Sequence, residues 1–230
     1  MSNNPHIIIE KGIEYHLGTL HGNTIQYDFQ KVLIYLDHKG KMLFGKNFKI
    51  YEEDEVILFK LCIYFIKDYD YCTKFNIDPN KGILLSGPVG CGKTSLMKLM
   101  RHIVPHQKPY DIIPARNITF AFNNLGYKTI EDYGNEGYYC FDDLGVEPLG
   151  RHYGKDCNVM GEIILSRYEL FCHPELVSGS HQKSRRILTH ATTNLNAQEL
   201  EDRYGNRVRS RMRQLFNLIA FNEKSSDKRI

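Results

Sequence analysis

The sequence predicts an α/β fold in which a mostly parallel sheet is covered by helices on both faces. Short apolar runs typical of strands lie at 82–86, 110–115, 137–142, 186–193 and 217–222. Helical segments separate these runs, and such alternation indicates parallel strands joined by crossover helices. Two polar motifs placed directly after strands, described below, support the same fold class.

Composition is that of an ordinary globular chain. The 230 residues suffice for one large domain with a proper core, and the net charge of +3 is too small to indicate nucleic acid by itself. The six cysteines show no paired zinc spacing, which favours reduced thiols in a cytosol. The longest apolar run, 56–66, is interrupted by Lys60 and is too short to cross a bilayer, and the N-terminus lacks a signal-peptide pattern. We therefore expect a cytoplasmic protein without membrane contact.

The first part of the chain, 1–75, is expected to be a short helical extension of a core at 76–230. Apolar residues at helical spacing predict a helix over 24–37 that is closed by Gly40. A second, buried helix is predicted over 52–69, because four acidic residues precede an apolar stretch.

One segment, 173–184, interrupts the alternation of strands and helices. Its Pro, Gly and Ser residues favour a surface loop, with contact to DNA or a partner as the alternative. Cys172, His173 and His181 suggest a metal site, but no fourth ligand has suitable spacing, so we reject that interpretation.

The strongest motif is GPVGCGKT at 87–94, which fits G-x-x-x-x-G-K-[ST] between a strand and a helix. Its glycines let the backbone curl so that N–H groups face a phosphate, beside the positive end of the helix. Lys93 can reach the terminal phosphates, and the Thr94 hydroxyl can bind Mg²⁺. The predicted nucleotide-binding residues are Gly87, Pro88, Val89, Gly90, Cys91, Gly92, Lys93, Thr94 and Ser95.

Acidic and amide side chains follow two further strands. YYCFDD at 138–143 places Asp142 and Asp143 at the carboxyl edge of a buried strand, where open α/β sheets bind ligands. Asp142 is expected to hold Mg²⁺ through water, and Asp143 to orient or deprotonate the attacking water. Asn194 ends the next strand and is expected to hold that water or the terminal phosphate; a simple turn is its alternative role. The chain has no N-K-x-D segment for reading guanine, which favours ATP.

Four motifs together resemble the AAA+ ATPases of the DnaC/IstB type, the bacterial helicase loaders and transposition helper ATPases. They are GPVGCGKT, FDDLG at 141–145, TTNLN at 192–196 and YGNRVRSRM at 204–212. The resemblance covers about 76–222 and implies a P-loop NTPase core with five parallel strands in the order 5-1-4-3-2 and no helical lid. It also implies an arginine finger, which matches Arg211 here.

Helical spacing sorts the arginines of the last motif. Val208 and Met212 belong to one apolar stripe, so the helix is expected to pack on the sheet. Arg207 and Arg211 fall on one flank of this stripe, and Arg209 and Arg213 fall on the other. The first flank can meet a neighbouring subunit's phosphate; binding of the cluster to DNA and a solvated helix face are the alternatives.

Two features depart from the wider AAA+ pattern. Asp143 stands where most members have Glu, which suggests slow turnover. Only eight residues follow Asn222, so no lid fits, and Lys228 or Arg229 becomes a candidate second contact to the nucleotide.

The sequence thus predicts an ATPase that assembles into a homo-oligomer, binds single-stranded DNA and loads a replicative helicase. A transposase is the alternative client. A nucleotide-gated scaffold without hydrolysis and a P-loop small-molecule kinase are the alternatives from other classes.

Overall fold

The computed structural model describes residues 4–173 and 187–229. The chain divides into two compact units. The first comprises Met1–Ile77 with Ser95–Pro109, and the second comprises Asp78–Thr94 with Tyr110–Ile230.

The first unit opens with two β-hairpins. β1 (Ile7–Glu10) pairs antiparallel with β2 (Ile13–His16), and β3 (Gly18–His21) pairs antiparallel with β4 (Thr24–Tyr27). The prediction of a helix starting at 24 is therefore wrong. Thr24–Tyr27 also fits the two-residue period of a strand, and Gly22, at φ 60°, provides the turn that pairs this segment with β3.

Helices complete this unit. They are α1 (Phe29–Phe44), α2 (Glu55–Ile66), which follows a 3₁₀ turn at Glu52–Asp54, and α3 (Tyr69–Lys74). Asp28 caps α1 by accepting hydrogen bonds from the backbone N–H groups of Gln30 and Lys31 at 3.0 and 3.2 Å.

Gly40 does not close α1, contrary to the prediction. The helix continues to Phe44 and ends at Gly45, which has a φ of 103°. A Cβ on Gly40 would lie 2.0 Å from the ring of Phe48, so glycine is needed there for packing and not for a turn.

The second unit contains the predicted sheet. Its first half comprises β5 (Gly82–Ser86), α4 (Lys93–Met100, which extends beyond this unit), β6 (Asp111–Pro114), α5 (Ala115–Leu125), α6 (Tyr127–Asn135) and β7 (Tyr139–Asp142). The second half comprises β8 (Gly150–His152), β9 (Lys155–Cys157), α7 (Val159–Cys172), β10 (Thr189–Thr193), α8 (Ala197–Leu215) and β11 (Phe216–Ala220).

Five of these strands form a single parallel sheet in the order β11-β5-β10-β7-β6. Numbered along the core alone, this is the order 5-1-4-3-2, which confirms the predicted fold class. β6 and α5 separate the phosphate-loop strand from the Asp142 strand in sequence, and β10 lies between these two strands in space. The sheet order thus brings the ends of β5, β10 and β7 side by side.

One face of the sheet packs against α5, α7 and α8. Strand residues such as Phe141 and Ala191 meet Ile118 of α5, Met160 of α7 and Met212 of α8 in one buried cluster. The short β8–β9 hairpin, which the sequence did not predict, joins β7 to α7.

In the described ranges, no helix is both long and apolar enough to cross a membrane. The residues that follow β11, 221–229, form no helix. Of the predicted insertion at 173–184, only His173 lies within the described residues. The predicted role of the insertion, and His181 within it, therefore fall outside the part of the chain that the structure describes.

Candidate nucleotide site

The phosphate loop joins β5 to α4. Gly90 and Gly92 have φ values of 83° and 101°. Residues with a side chain rarely adopt this left-handed backbone conformation. α4 begins at Lys93, so the predicted loop leads directly into a helix N-terminus. The curled, glycine-dependent backbone is the arrangement that binds phosphate in P-loop proteins.

Lys93 supplies a buried positive charge inside this loop. Its Nζ donates to the carbonyl oxygens of Gly87 and Pro88 at 2.7 and 2.8 Å, and the residue is only 5% exposed. No carboxylate in the described part of the chain pairs with this ammonium. A buried ammonium held by neutral groups alone is costly, and an anionic ligand would offset that cost.

Asp142 and Thr94, the two residues that the sequence predicts as Mg²⁺ ligands, lie within hydrogen-bonding distance of each other. The Thr94 hydroxyl donates to both Asp142 carboxylate oxygens, at 2.8 and 3.1 Å. The Thr192 hydroxyl, on the neighbouring strand β10, donates to the same carboxylate at 2.7 Å. Hydroxyl and carboxylate oxygens are the ligands that Mg²⁺ prefers, so this pair fits the predicted metal.

Asp143 follows directly and is the more exposed of the two acids. Its backbone has a φ of 53°, and its N–H donates to the Thr192 hydroxyl at 2.9 Å. Partial burial and the neighbouring Asp142 raise the pKa of Asp143, while the positive charges of Lys93 and Arg229 oppose that rise. The acid thus lies within the electrostatic reach of the phosphate-loop lysine.

Asn194 follows β10 at the same edge of the sheet. Its Oδ1 atom is shielded from solvent and has no hydrogen-bond partner among the described residues. The preceding hydroxyl, that of Thr193, donates to the carbonyl of Leu144 at 2.7 Å and accepts from the N–H of Leu195 at 3.1 Å, which fixes the turn. An unsatisfied amide oxygen is costly to bury, and a bound water or ligand donor would satisfy it.

Arg211 lies apart from these residues on α8. Its guanidinium stacks over the Tyr168 ring at 4.4 Å, and Nη1 donates to the Tyr168 hydroxyl at 3.3 Å. The hydroxyl in turn donates to Gln214 Oε1 at 2.9 Å. A half-buried Arg211 is therefore held in one orientation, whereas Arg207, one turn earlier, is exposed.

The opposite flank of α8 has a different environment, as the helical spacing predicts. Arg209 and Arg213 line a cavity of about 200 Å³ together with Met212 and several apolar residues of the sheet. Burial and the neighbouring Arg213 lower the pKa of Arg209. The arginines of this motif are thus divided between two surfaces.

Glu147 is a structural part of the site that sequence reasoning missed. It is 4% exposed and accepts hydrogen bonds from the N–H of Gly145 at 2.8 Å and the Tyr204 hydroxyl at 2.6 Å. Arg203 approaches its carboxylate at 3.5 Å. Glu147 therefore connects the loop after Asp143 to α8, although an acid in the run LGVEPLG looks like a surface residue.

Comparisons with known proteins support the fold. No protein-family model and no curated protein matches the chain. Among solved structures, the crystal structure of the DnaC helicase loader has a TM-score of 0.51 and 19% identity, over 75% of this chain and 92% of that one. AMPPCP-bound DnaA from Aquifex aeolicus has a TM-score of 0.44 and 15% identity, over 77% of this chain and 49% of that one.

At this level of identity the likeness concerns the fold. The sheet order and the loop between β5 and α4 agree with the P-loop core that the sequence motifs imply. This chain has the α/β fold of the DnaC helicase loader.

Proposed function

We propose that this chain binds ATP with Mg²⁺ in the cytoplasm and hydrolyses it. The observation that carries the proposal is the ammonium of Lys93, buried in a curled glycine loop without a carboxylate partner in the described residues. An anionic phosphate group would supply that partner, and the adjacent Thr94–Asp142 pair would hold the metal.

Each residue has a distinct role in this proposal. The N–H groups of the loop and Lys93 bind the phosphates, and Mg²⁺ held by Thr94 and Asp142 would supply further neutralisation of their charge. Asp143 orients the attacking water or accepts its proton, and the unsatisfied amide oxygen of Asn194 accepts a hydrogen bond from that water. The raised pKa of Asp143 makes it a better proton acceptor than an ordinary aspartate.

Assembly would complete the site. In this proposal the Arg211 guanidinium reaches the terminal phosphate bound by a neighbouring subunit, where it stabilises the charge of the transition state. Its contacts with Tyr168 support this role, because a stacked arginine loses less freedom when it binds phosphate.

The client we propose is a replicative helicase, loaded onto single-stranded DNA by a DnaC-type ATPase. The fold likeness supports this choice, since the match spans nearly the whole chain of the DnaC helicase loader, 92% of it. A transposase is the second candidate client, and pull-downs against the two proteins distinguish them.

The decisive experiment measures binding of a fluorescent ATP analogue with and without Mg²⁺. Lys93→Ala should weaken Mg²⁺-dependent binding by about 10- to 100-fold, the value of one or two charge-assisted hydrogen bonds. Lys98→Ala, on the same helix, is the matched control and should bind like the wild type. Absence of Mg²⁺-dependent affinity in the wild type would overturn the proposed function. Binding without phosphate release would favour the scaffold alternative.

A further inference from the structure

The residues that follow β11 lie on the phosphate loop. We call 223–229 the C-terminal segment. The backbone N–H of Lys228 donates to the Gly90 carbonyl at 3.0 Å, and its Nζ donates to the Cys91 carbonyl at 3.2 Å. The Lys228 ammonium also lies 5.3 Å from the centre of the Phe221 ring. Backbone and side-chain contacts together attach this segment to the proposed nucleotide site.

Gly90 is the point of closest approach. A Cβ on this residue would lie 2.1 Å from Asp227 Oδ1, so the carboxylate packs directly against the glycine backbone. Glycine is thus required at 90 for two reasons, the positive φ and this contact. The phosphate loop and the C-terminal segment have shapes that fit one another.

The carboxylate that touches the loop also binds an arginine. Arg229 donates from Nε and Nη2 to the two oxygens of Asp227 at 3.0 and 2.8 Å, and its backbone N–H donates to Oδ1 at 3.0 Å. These hydrogen bonds from Arg229 lower the pKa of Asp227 to about 2, so the carboxylate stays charged. The two-pronged geometry is the one by which arginine also binds phosphate.

Arg229 acts electrostatically on Asp143, the proposed general base, as well. Its positive charge, like that of Lys93, opposes the rise in the pKa of Asp143 that burial causes. Arg229 is therefore near enough to influence the charges of the site while it remains paired with Asp227.

The ion pair between Arg229 and Asp227 is exposed, so another anion can replace Asp227 at little cost. The side chains of Arg229 and Asp227 are 65% and 46% exposed, and such surface ion pairs contribute little to stability. A triphosphate offers several oxygens and a higher negative charge in the partly buried loop, where charge-assisted contacts are stronger. A terminal phosphate can thus compete with Asp227 for the guanidinium.

We propose that the C-terminal segment is a nucleotide-responsive latch, in which Asp227 holds Arg229 beside the phosphate loop until the terminal phosphate of ATP takes its place. The proposal deepens the proposed function and rests on it. The latch distinguishes ATP from ADP, because only ATP carries the phosphate that competes for Arg229. Asp227 lowers the affinity for ATP, and Arg229 raises it.

Equilibrium binding of fluorescent ATP and ADP analogues with Mg²⁺ tests these opposite effects. Arg229→Gln should weaken ATP binding by about tenfold and change ADP binding by less than about twofold. Asp227→Asn, which keeps the size and removes the charge, should strengthen ATP binding by about two- to fivefold. Lys224→Gln removes a positive charge from the same segment and is the matched control.

The double variant gives the sharpest result. Because Asp227 acts through Arg229, the Asp227→Asn change should have no effect on ATP binding once Arg229 is Gln. Equal effects of Asp227→Asn in both backgrounds, or equal effects of Arg229→Gln on ATP and ADP, would show general electrostatics and overturn the latch. So would Arg229→Gln behaving like Lys224→Gln. Thermal unfolding of each variant checks that it is folded.

The two proposals fail in different ways. If the wild type binds no Mg²⁺-nucleotide, the proposed function and the latch are both wrong. If the wild type binds, Lys93→Ala does not, and Arg229→Gln binds ATP normally, only the latch is wrong.

Discussion

Asp143 shows how the backbone selects a residue type at a single position. The sequence suggests that aspartate in place of the usual glutamate makes turnover slow. The structure gives a different reason for aspartate, because φ is 53° here and the short side chains of Asp and Asn tolerate this conformation best. The N–H of Asp143 donates to the Thr192 hydroxyl on the neighbouring strand β10. Because this contact joins residues that are distant in the sequence, the backbone conformation of Asp143 could not be predicted from the sequence.

Two substitutions separate backbone from chemistry at this position. Asp143→Glu should lower the free energy of unfolding by up to about 1 kcal/mol, since the longer side chain is strained in the left-handed region, and should not raise the rate. Asp143→Asn should keep nucleotide binding and abolish hydrolysis, because the amide cannot accept a proton. Urea unfolding and single-turnover hydrolysis measure the two effects. Faster hydrolysis by a stable Asp143→Glu variant would contradict the backbone argument.

The raised pKa of Asp143 has its own consequence for stability. The folded state binds this proton more tightly than the unfolded state, so the contribution of Asp143 to stability falls as pH rises from the ordinary aspartate pKa through the raised one. Asp143→Asn removes that penalty. We expect this substitution to raise the free energy of unfolding slightly at pH 7, because the side chain is exposed. The gain should decrease progressively toward pH 4.5. Melting temperatures of both proteins across this range test the trend, and a difference that grows toward acid pH would show the opposite sign.

At the scale of elements, α8 is two helical segments joined at a kink. Gly205 within it has φ 82° and ψ 159°, which is a conformation almost restricted to glycine. The kink lies between Tyr204, which binds Glu147, and the segment that carries Arg211. The backbone at Gly205 therefore sets the direction of the arginine-bearing segment relative to the loop after Asp143.

Gly205→Ala tests this role. A Cβ at this position would meet no atom within 4 Å, so any cost comes from the backbone alone. We expect a loss of about 1–3 kcal/mol of unfolding free energy, or a straightened helix with a displaced Arg211. Asn206→Ala, at the adjacent exposed position, is the control and should be neutral or slightly stabilising. Denaturant unfolding measures the free energy of unfolding of both variants. Equal values for Gly205→Ala and Asn206→Ala would show that the backbone at position 205 accepts a side chain without strain.

Elements differed in how well the sequence predicted them. The five core strands were predicted within a few residues, because buried parallel strands are continuous apolar runs flanked by turn residues. The pattern of Thr24–Tyr27 fits a helix as well as the strand it forms, because Ile25 and Phe29 are four residues apart. Gly40 resembles a helix end in the sequence, because its partner Phe48 is eight residues away and is brought close only by the turn after Gly45.

At the scale of the whole molecule, the order of the strands assembles the site. Lys93, Asp142 and Asn194 are far apart in sequence, yet Lys93 and Asn194 follow the strands β5 and β10, and Asp142 ends the neighbouring strand β7. Their proximity was predictable, since the resemblance of the motifs to the DnaC/IstB-type ATPases implies this strand order. Lys228 and Arg229 are candidates from the sequence, but Glu147 and the pairing of Asp227 with Arg229 were not predictable, because their contacts depend on how loops fold back on the sheet.

The proposed action of Arg211 on a neighbouring subunit can be tested by comparing Arg211 with Arg207. Arg211 makes its contacts with Tyr168 and none with the phosphate loop of its own chain in the described residues, as a residue acting on a neighbour requires. Lys93→Ala and Arg211→Ala should each abolish ATP hydrolysis, whereas Arg207→Ala, an exposed arginine on the same flank, should retain most of it.

An equal mixture of the two inactive variants should recover activity. In a head-to-tail assembly, about one quarter of the interfaces would pair an intact Lys93 with an intact Arg211, so we expect about a quarter of the wild-type rate. ATPase assays with single-stranded DNA, at protein concentrations where light scattering shows mixed assembly, measure this recovery. If the mixture stays inactive while both variants fold and assemble, Arg211 does not act in trans. If Arg207→Ala is the inactive variant and its mixture with Lys93→Ala recovers, the exposed arginine is the finger and the Tyr168 contact serves the stability of α8 instead.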